Sequence, residues 1–514
     1  MPFINLNSVE SLPSDQPYDV TIIGAGAAGI LLALKLARRN LRVMLVEHGH
    51  FDLSDQKQSY NEVEQIGKTM VSTVWGRKRA IGGTTLAWGG QSLPFSKLDF
   101  KKKKWIALSG WPISYSDLAS YYLDANEFMG IDRLDYRDDI LKLFKMQPPA
   151  LNKDLFDYHF SKWAPEANFQ KLYKAQLEEQ VDVLFNAHLT QIKKEKGRIS
   201  EIGLKNDSGK LFNVAIKKLI LATGGIESVR LLLNYELQNA TEVTPNRWLG
   251  KAFMEHPCLE IGKIKTNKDY LLQKYFNSRV SNSKKYSVRV SVSDSFQENN
   301  KLLNCSISIM FRPKDDNFDP YSEVKLFVKS KHPKYLIKAV ASAPKLLKSA
   351  IALYRDKFYY KVGMSARVTL MIEQEPSEES YIYLTEETDS YGLKKSGIKW
   401  TITFKTWETV VKSAKIFKEE FEKTGLGELV IHPAITDNNN KWPELLCDVN
   451  HHMGGARMSL IESDGVVNSD LKVWGTENLY VCSASTFPTS SHSNPTLTLL
   501  ALATRLVDHL DNKA

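Results

Sequence analysis

The chain has 514 residues, 43% of them hydrophobic and 25% charged, with a formal net charge of +9. This length is well beyond that of a single core and by itself suggests about three domains, and the composition is that of a globular chain able to bury a large interior. The four cysteines, Cys258, Cys305, Cys447 and Cys482, stand far apart with no CxxC or CxxCH, which argues against a disulfide framework, a zinc site, an iron–sulfur cluster and covalent c-type haem.

Residues 1–17 are polar and include Glu10, Pro13 and Asp15, unlike the basic start and apolar run of an export signal. No stretch approaches eighteen apolar residues, so no transmembrane helix is expected. The expected setting is the reduced cytoplasm, with the chain soluble or peripherally attached to a membrane. Asp19-Val20-Thr21-Ile22-Ile23 is a β-rich run that leads into Gly24-Ala25-Gly26-Ala27-Ala28-Gly29. Helical periodicity follows over 30–39, and 42–46 reads as a second strand ending in Glu47. In such a βαβ unit Gly24 makes the tight turn, Gly26 lets the backbone approach a pyrophosphate, and Gly29 allows close helix–strand packing. Ala27 and Ala28 open a helix whose free N–H groups and dipole favour phosphate. An acid at the end of the second strand can accept hydrogen bonds from a ribose diol, which is the role expected of Glu47. A dinucleotide site is the reading.

Further along, Ala80-Ile81-Gly82-Gly83-Thr84-Thr85-Leu86-Ala87-Trp88-Gly89-Gly90 has neither helical nor strand pattern and reads as a loop of small residues. The KKKK run within 99–104 reads as a solvated surface. A strand over 181–185 and an alternating stretch over 202–220 suggest a β-meander returning to the nucleotide sheet. There Leu219-Ile220-Leu221-Ala222-Thr223-Gly224-Gly225 repeats the strand-to-glycine pattern ahead of a helix at 229–234.

Strand-like alternation recurs at 286–292, 304–311, 366–374 and 398–404. Between 329 and 361 there are nine Lys/Arg against the single Asp356, a local net charge of +8. Within that stretch Leu347, Ile351, Tyr354 and Phe358 share one helical face, and Lys345, Lys348, Ala352 and Arg355 another. Such a helix could rest on an anionic membrane or an acidic partner; the preferred expectation is that its apolar stripe packs on the rest of the protein. Nucleic acid is not expected, because no aromatic-studded basic groove is evident. Residues 406–424 read as an exposed helix rich in Lys and Glu. Near the end, Asn450-His451-His452-Met453-Gly454-Gly455 and Ser493-Asn494-Pro495-Thr496 flank a short strand pattern.

Taken in order, these pieces resemble the glucose-methanol-choline (GMC) oxidoreductase family. The resemblance rests on Gly24 to Gly29 with Glu47, the Gly82-Gly83-Thr84-Thr85 loop, Gly110-Trp111-Pro112-Ile113 and Ala222-Thr223-Gly224-Gly225-Ile226. It continues through Phe253-Met254-Glu255-His256-Pro257, Glu373-Gln374-Glu375-Pro376 and Gly465-Val466-Val467-Asn468 to Asn494-Pro495-Thr496. The motifs are most similar to the branch of pyranose oxidase and the gluconate and fructose dehydrogenases. The resemblance implies an α/β fold, with a Rossmann-like FAD-binding domain and β-meander interleaved with an α+β substrate domain built on an antiparallel sheet. The FAD-binding parts would be 1–52, 76–98, 180–262 and 440–514, and the substrate parts 53–75, 99–179 and 263–439.

The same resemblance implies FAD contacts at Gly24, Gly26, Ala27, Ala28, Gly29, Glu47, Gly82, Gly83, Thr84, Thr85, Trp88, Leu189, Ala222, Thr223, Gly224, Ser483, Ala484, Pro495 and Thr496. Some sugar-oxidising relatives carry a histidine just before the tryptophan, covalently bound to FAD in pyranose oxidase. Ala87 stands there in this chain, so FAD is expected to be noncovalent. Ser483 occupies a place where the family often has Asp, so backbone contacts are expected there.

His451 matches the family's base and Asn494 its partner. A neutral imidazole can accept the proton of an alcohol, and an amide donor can steady the developing alkoxide. Adjacent His452 would point to the opposite face of an extended segment. His492 is a rival partner, and His256 is expected to hold a buried turn. No metal site is expected, because no ligand spacing is present. The function implied is FAD-dependent oxidation of a sugar, sugar derivative or polyol, with oxygen, a quinone or a separate redox protein as acceptor. Two other readings stay open: a lyase of the hydroxynitrile lyase type, in which FAD is not reduced, and a non-catalytic flavoprotein that binds a partner through the basic helix.

Overall fold

The computed structural model describes residues 3–12, 17–313, 340 and 343–511. A six-stranded sheet runs in the spatial order Ile4–Asn5, Asp182–Phe185, Val43–Val46, Val20–Ile23, Leu219–Leu221 and Leu479–Val481, and every pairing in it is parallel. Parallel strands need crossovers, and their faces are covered by helices; accordingly Val20–Ile23, Val43–Val46 and Leu219–Leu221 are fully buried and, but for Thr21, apolar. The helix Ala27–Ala37 packs on this sheet, and Pro495–Asp511 packs on that helix. A three-stranded antiparallel meander, His188–Glu195, Arg198–Lys205 and Leu211–Ala215, leads into the sheet at Leu219, as expected.

The second large sheet is antiparallel and has eight strands. Its main path runs Glu428–Ile431, Cys258–Lys265, Met364–Ile372, Cys305–Pro313, Lys284–Val292, Phe156–Trp163 and Gln91–Ser92. The period-2 alternation sorts its residues onto two faces. Phe156, Tyr158 and Phe160, with Val288, Val290, Ile307, Ile309, Val368 and Leu370, enter a second core. The other face, carrying His159, Ser161, Arg289, Ser291 and Ser308, turns toward the nucleotide sheet, where the His159 ring lies 6.0 Å from that of His492.

Three surface expectations are corrected. The Lys/Glu-rich helix, Phe404–Lys423, is not simply exposed: Trp407, Val410, Ala414, Phe417 and Phe421 fall at helical spacing and are fully buried in the second core. Lys103, inside the KKKK run, is 1% exposed and pairs with Glu373 at 2.8 Å and Asp99 at 3.8 Å. Such burial is tolerated only because two carboxylates compensate the charge. In the basic stretch, 329–339 and 341–342 lie outside the described residues. The helix Ala343–Asp356 docks through Ala352 and Asp356, the latter bound by Lys274 and Tyr270, while Leu347, Ile351 and Tyr354 are 62%, 50% and 84% exposed. The face expected to pack is therefore the one in solvent; only Phe358, beyond the helix end, is buried.

Candidate active site

A cavity opens at the C-terminal ends of the nucleotide strands, where ligands of such sheets are held. Its walls include Gly24, Gly26, Ala27, Ala28, Glu47, Gly83, Thr84, Thr85, Trp88, Leu189, Ala222, Thr223, Gly224, Ser483, Ala484, Pro495 and Thr496, together with His451. Of the expected cofactor residues, Gly29 and Gly82 stay behind the wall. A Cβ on Gly29 would stand 1.9 Å from the carbonyl oxygen of Gly24, so this glycine lets the helix seat on the turn. Gly82 donates its N–H to the Ala25 carbonyl at 2.8 Å and supports the loop. By contrast, a Cβ on Gly26 would meet nothing within 4 Å. Gly26 is also the N-cap of Ala27–Ala37, and no side chain satisfies the first-turn N–H groups there. Open space and free donors at one helix end form a cradle for an anionic group such as a pyrophosphate.

Glu47 supports this geometry. Its carboxylate accepts the N–H of Ala25 at 2.9 Å and of Gly49 at 2.8 Å, fixing the glycine turn while leaving lone pairs toward the cavity. Burial raises its pKa, opposed by these two backbone donors. Several wall residues were missed in the sequence: His48, His188 and Tyr391 at the Glu47 end, with His188 stacked on Tyr391 at 3.6 Å, and Arg77, Lys78 and Arg79 along one side. Arg79 and Arg230 both pair with Glu227, at 2.7 and 2.9 Å. Burial pushes Arg77 down to about 9. Ser483 spends its hydroxyl on Ser485, and Thr85 its own on the Gly82 carbonyl, so backbone rather than hydroxyl groups are left for a ligand at both places.

At the other end of the cavity, Asn494 Nδ2 donates to His451 Nε2 at 3.2 Å. The second nitrogen of His451, Nδ1, lies 2.8 Å from Nδ1 of His256, whose Nε2 is 3.1 Å from the Ser490 carbonyl. A carbonyl only accepts, so His256 carries its proton on Nε2 and presents a lone pair at Nδ1. His451 must then donate from Nδ1, and its Nε2 is left unprotonated, with the lone pair that accepts from Asn494. One backbone carbonyl thus sets the tautomer of the candidate base through a second imidazole. His256 does more than hold a turn.

Glu255 anchors the same segment, accepting the backbone N–H of His451 at 2.8 and 2.7 Å and that of His256 at 2.7 Å. Burial pushes its carboxyl up to about 8 against these donors. Burial lowers His451 well below the usual imidazole value, with further depression from His256, His452 and Arg289. A neutral imidazole results. His452 points elsewhere, to Ser72 Oγ at 2.9 Å. His492 faces His159 rather than His451. Among the described residues no group of side chains could hold a metal ion, and no helix is long and apolar enough to cross a membrane.

A GMC oxidoreductase family model matches residues 376–503, and an FAD dependent oxidoreductase model matches 19–245. Similar curated proteins include 6'''-hydroxyparomomycin C oxidase of Streptomyces lividus, 28% identical over 138 residues covering 24% of this chain and 25% of that protein. The fructose dehydrogenase large subunit of Gluconobacter japonicus is 28% identical over 147 residues, covering 22% and 27%. The chain thus spans about a quarter of the length of these relatives. Among solved structures, an Aspergillus oryzae formate oxidase variant aligns over 98% of this chain and 99% of its own, with a TM-score of 0.58 and 15% identity, which shows a shared fold. The FAD dependent oxidoreductase model thus falls on the nucleotide unit, and the GMC oxidoreductase model on the segment bearing His451 and Asn494.

Proposed function

We propose that this protein oxidises an alcohol group on a sugar, sugar derivative or polyol, using noncovalently held FAD. The observation that carries the reading is the unprotonated Nε2 of His451, a residue of the cavity wall, with its tautomer set from behind and its lone pair held by the Asn494 amide, whose place a substrate hydroxyl can take. Bound FAD supplies the acceptor for the hydride of the alcohol carbon. The residues suited to hold it are the Gly26 helix end for the pyrophosphate, Glu47 for the ribose, and the wall from Ala222 to Gly224 with Ala484 and Pro495. His451 Nε2 takes the hydroxyl proton, and the Asn494 amide steadies the oxygen as charge develops on it. The relatives named as a 6'''-hydroxyparomomycin C oxidase and a fructose dehydrogenase large subunit support the substrate class. Division into the two interleaved domains expected above belongs to the same reading.

The acceptor is oxygen, a quinone or a separate redox protein. Leu347, Ile351 and Tyr354, exposed among Lys345, Lys348 and Arg355, suit peripheral contact with an anionic membrane. Co-sedimentation with phosphatidylserine vesicles, absent with neutral ones, tests that contact.

Anaerobic mixing with a panel of sugars and alcohols tests the activity. Bleaching of the flavin band is expected, whereas turnover without bleaching would indicate a lyase, and inertness of wild type and His451→Ala alike a binding protein. His451→Asn should slow bleaching about 10²-fold or more, and His452→Asn far less; equal effects would remove the assignment. An acid precipitate should be colourless, with the flavin left in the supernatant.

A further inference from the structure

The sheet face above His451 holds a cation with no counter-ion. Arg289 lies in the strand Lys284–Val292, directly opposite His159 of Phe156–Trp163, on the face that does not enter the second core. It donates to Ser308 Oγ and, at 3.2 Å, to Gln91 Oε1, both neutral. No carboxylate pairs with it among the described residues. The contrast with Arg367 on the same face is direct, since that guanidinium has Glu260 at 3.4 Å. Nearby, His492 is 5% exposed, packs near His159, and leaves its Nδ1 without a partner among the described residues. Burial is the largest cause that lowers the basicity of His451, His159 and His492, and Arg289 is near enough to depress all three further, against Asp99 in the case of His492. A guanidinium held half-buried by two neutral acceptors is costly unless something brings the opposite charge.

We infer that the alcohol oxidised by this protein carries a carboxylate, and that Arg289 binds it on the sheet face opposite His451 and Asn494. The reading rests on the proposed oxidation and narrows its substrate class to sugar acids and other hydroxy acids. With two of its donors already spent on Ser308 and Gln91, the remaining edge of the fork suits one planar carboxylate. A substrate carboxylate there would compensate the charge of Arg289 and would fix which hydroxyl reaches His451.

The test uses the holoenzyme and pairs each acid with its neutral counterpart, gluconate with glucitol and glycerate with glycerol, in anaerobic flavin reduction. Half-saturation at much lower concentration for the acids is expected. Arg289→Gln should raise that concentration about 30-fold or more for the acids while changing it little for the neutral alcohols. Arg289→Lys, which keeps the charge and loses the fork, should fall between. Succinate, which has no hydroxyl to oxidise, should perturb the flavin spectrum of the wild type and not that of Arg289→Gln at equal flavin content. Reduction by neutral alcohols with no preference for acids, or succinate binding unchanged by Arg289→Gln, would overturn the inference and leave the oxidation standing. Succinate binding that depends on Arg289, with no alcohol or acid bleaching the flavin, would uphold the anion site and sink the oxidation.

Discussion

Single residues decide the chemistry at His451, and the decisive neighbour is His256. Since His256 Nδ1 must accept from His451 Nδ1, replacing His256 with Ala frees His451 to adopt the other tautomer, in which Nε2 carries the proton and cannot act as a base. Flavin reduction by an alcohol should slow about tenfold or more in His256→Ala, with flavin content unchanged; an undiminished rate would mean the tautomer is held by other contacts. The pH dependence follows from the same burial. The folded-state pKa of His451 lies below the ordinary 6.5, so the base remains neutral as pH falls past 6.5, and the acid limb of flavin reduction should lie below that value. His451 and Asn494 could be picked out because they sit in short local motifs, and the fold brings the two side chains within 3.2 Å. The role of His256 could not, because it depends on a residue 195 positions away and on one carbonyl that only the fold brings near.

At the scale of elements, two junctions hold the site in register. The first is the glycine turn: a methyl at position 29 would collide with the Gly24 carbonyl, so Gly29→Ala should push the helix Ala27–Ala37 off its turn. Purified protein should then retain much less flavin than wild type, and full retention would show that the turn can shift without spoiling the cradle. The second is the buried cluster of Lys103, Glu373 and Asp99, whose carboxylate also accepts from Ser491 Oγ at 2.7 Å and Asn304 Nδ2 at 2.9 Å. It clamps the segment that bears Ser490 and Asn494 to the antiparallel sheet. Removing one partner strands the others, so Lys103→Met should cost about 3–5 kcal/mol in denaturant unfolding. The βαβ unit was readable because its spacing is local. Lys103 looked like any lysine in a basic run, because the carboxylate that buries it comes from position 373. The Trp407 helix was misread because its many Lys and Glu residues mask a stripe that only period counting reveals.

For the whole molecule, burial of imidazoles sets the response to acid. Burial lowers His256 and His492 to about 4 and His159, His188 and His452 to about 3. Each binds a proton in the unfolded chain near 6.5 but not in the folded one until far lower pH, so stability should fall as pH drops from about 6.5 toward 4. Urea midpoints across that range should decline, and a flat profile would show that these rings are solvated. The chain's interleaving has one more outcome. The cavity wall draws on Ile23 near the start and on Leu499 near the end, and the sheet beneath it closes only with Leu479–Val481. A polypeptide still emerging from the ribosome therefore has no complete berth for its nucleotide until Leu499 has been added, so loading should wait on that stretch, and vitamin-starved cells should accumulate an empty, protease-sensitive form.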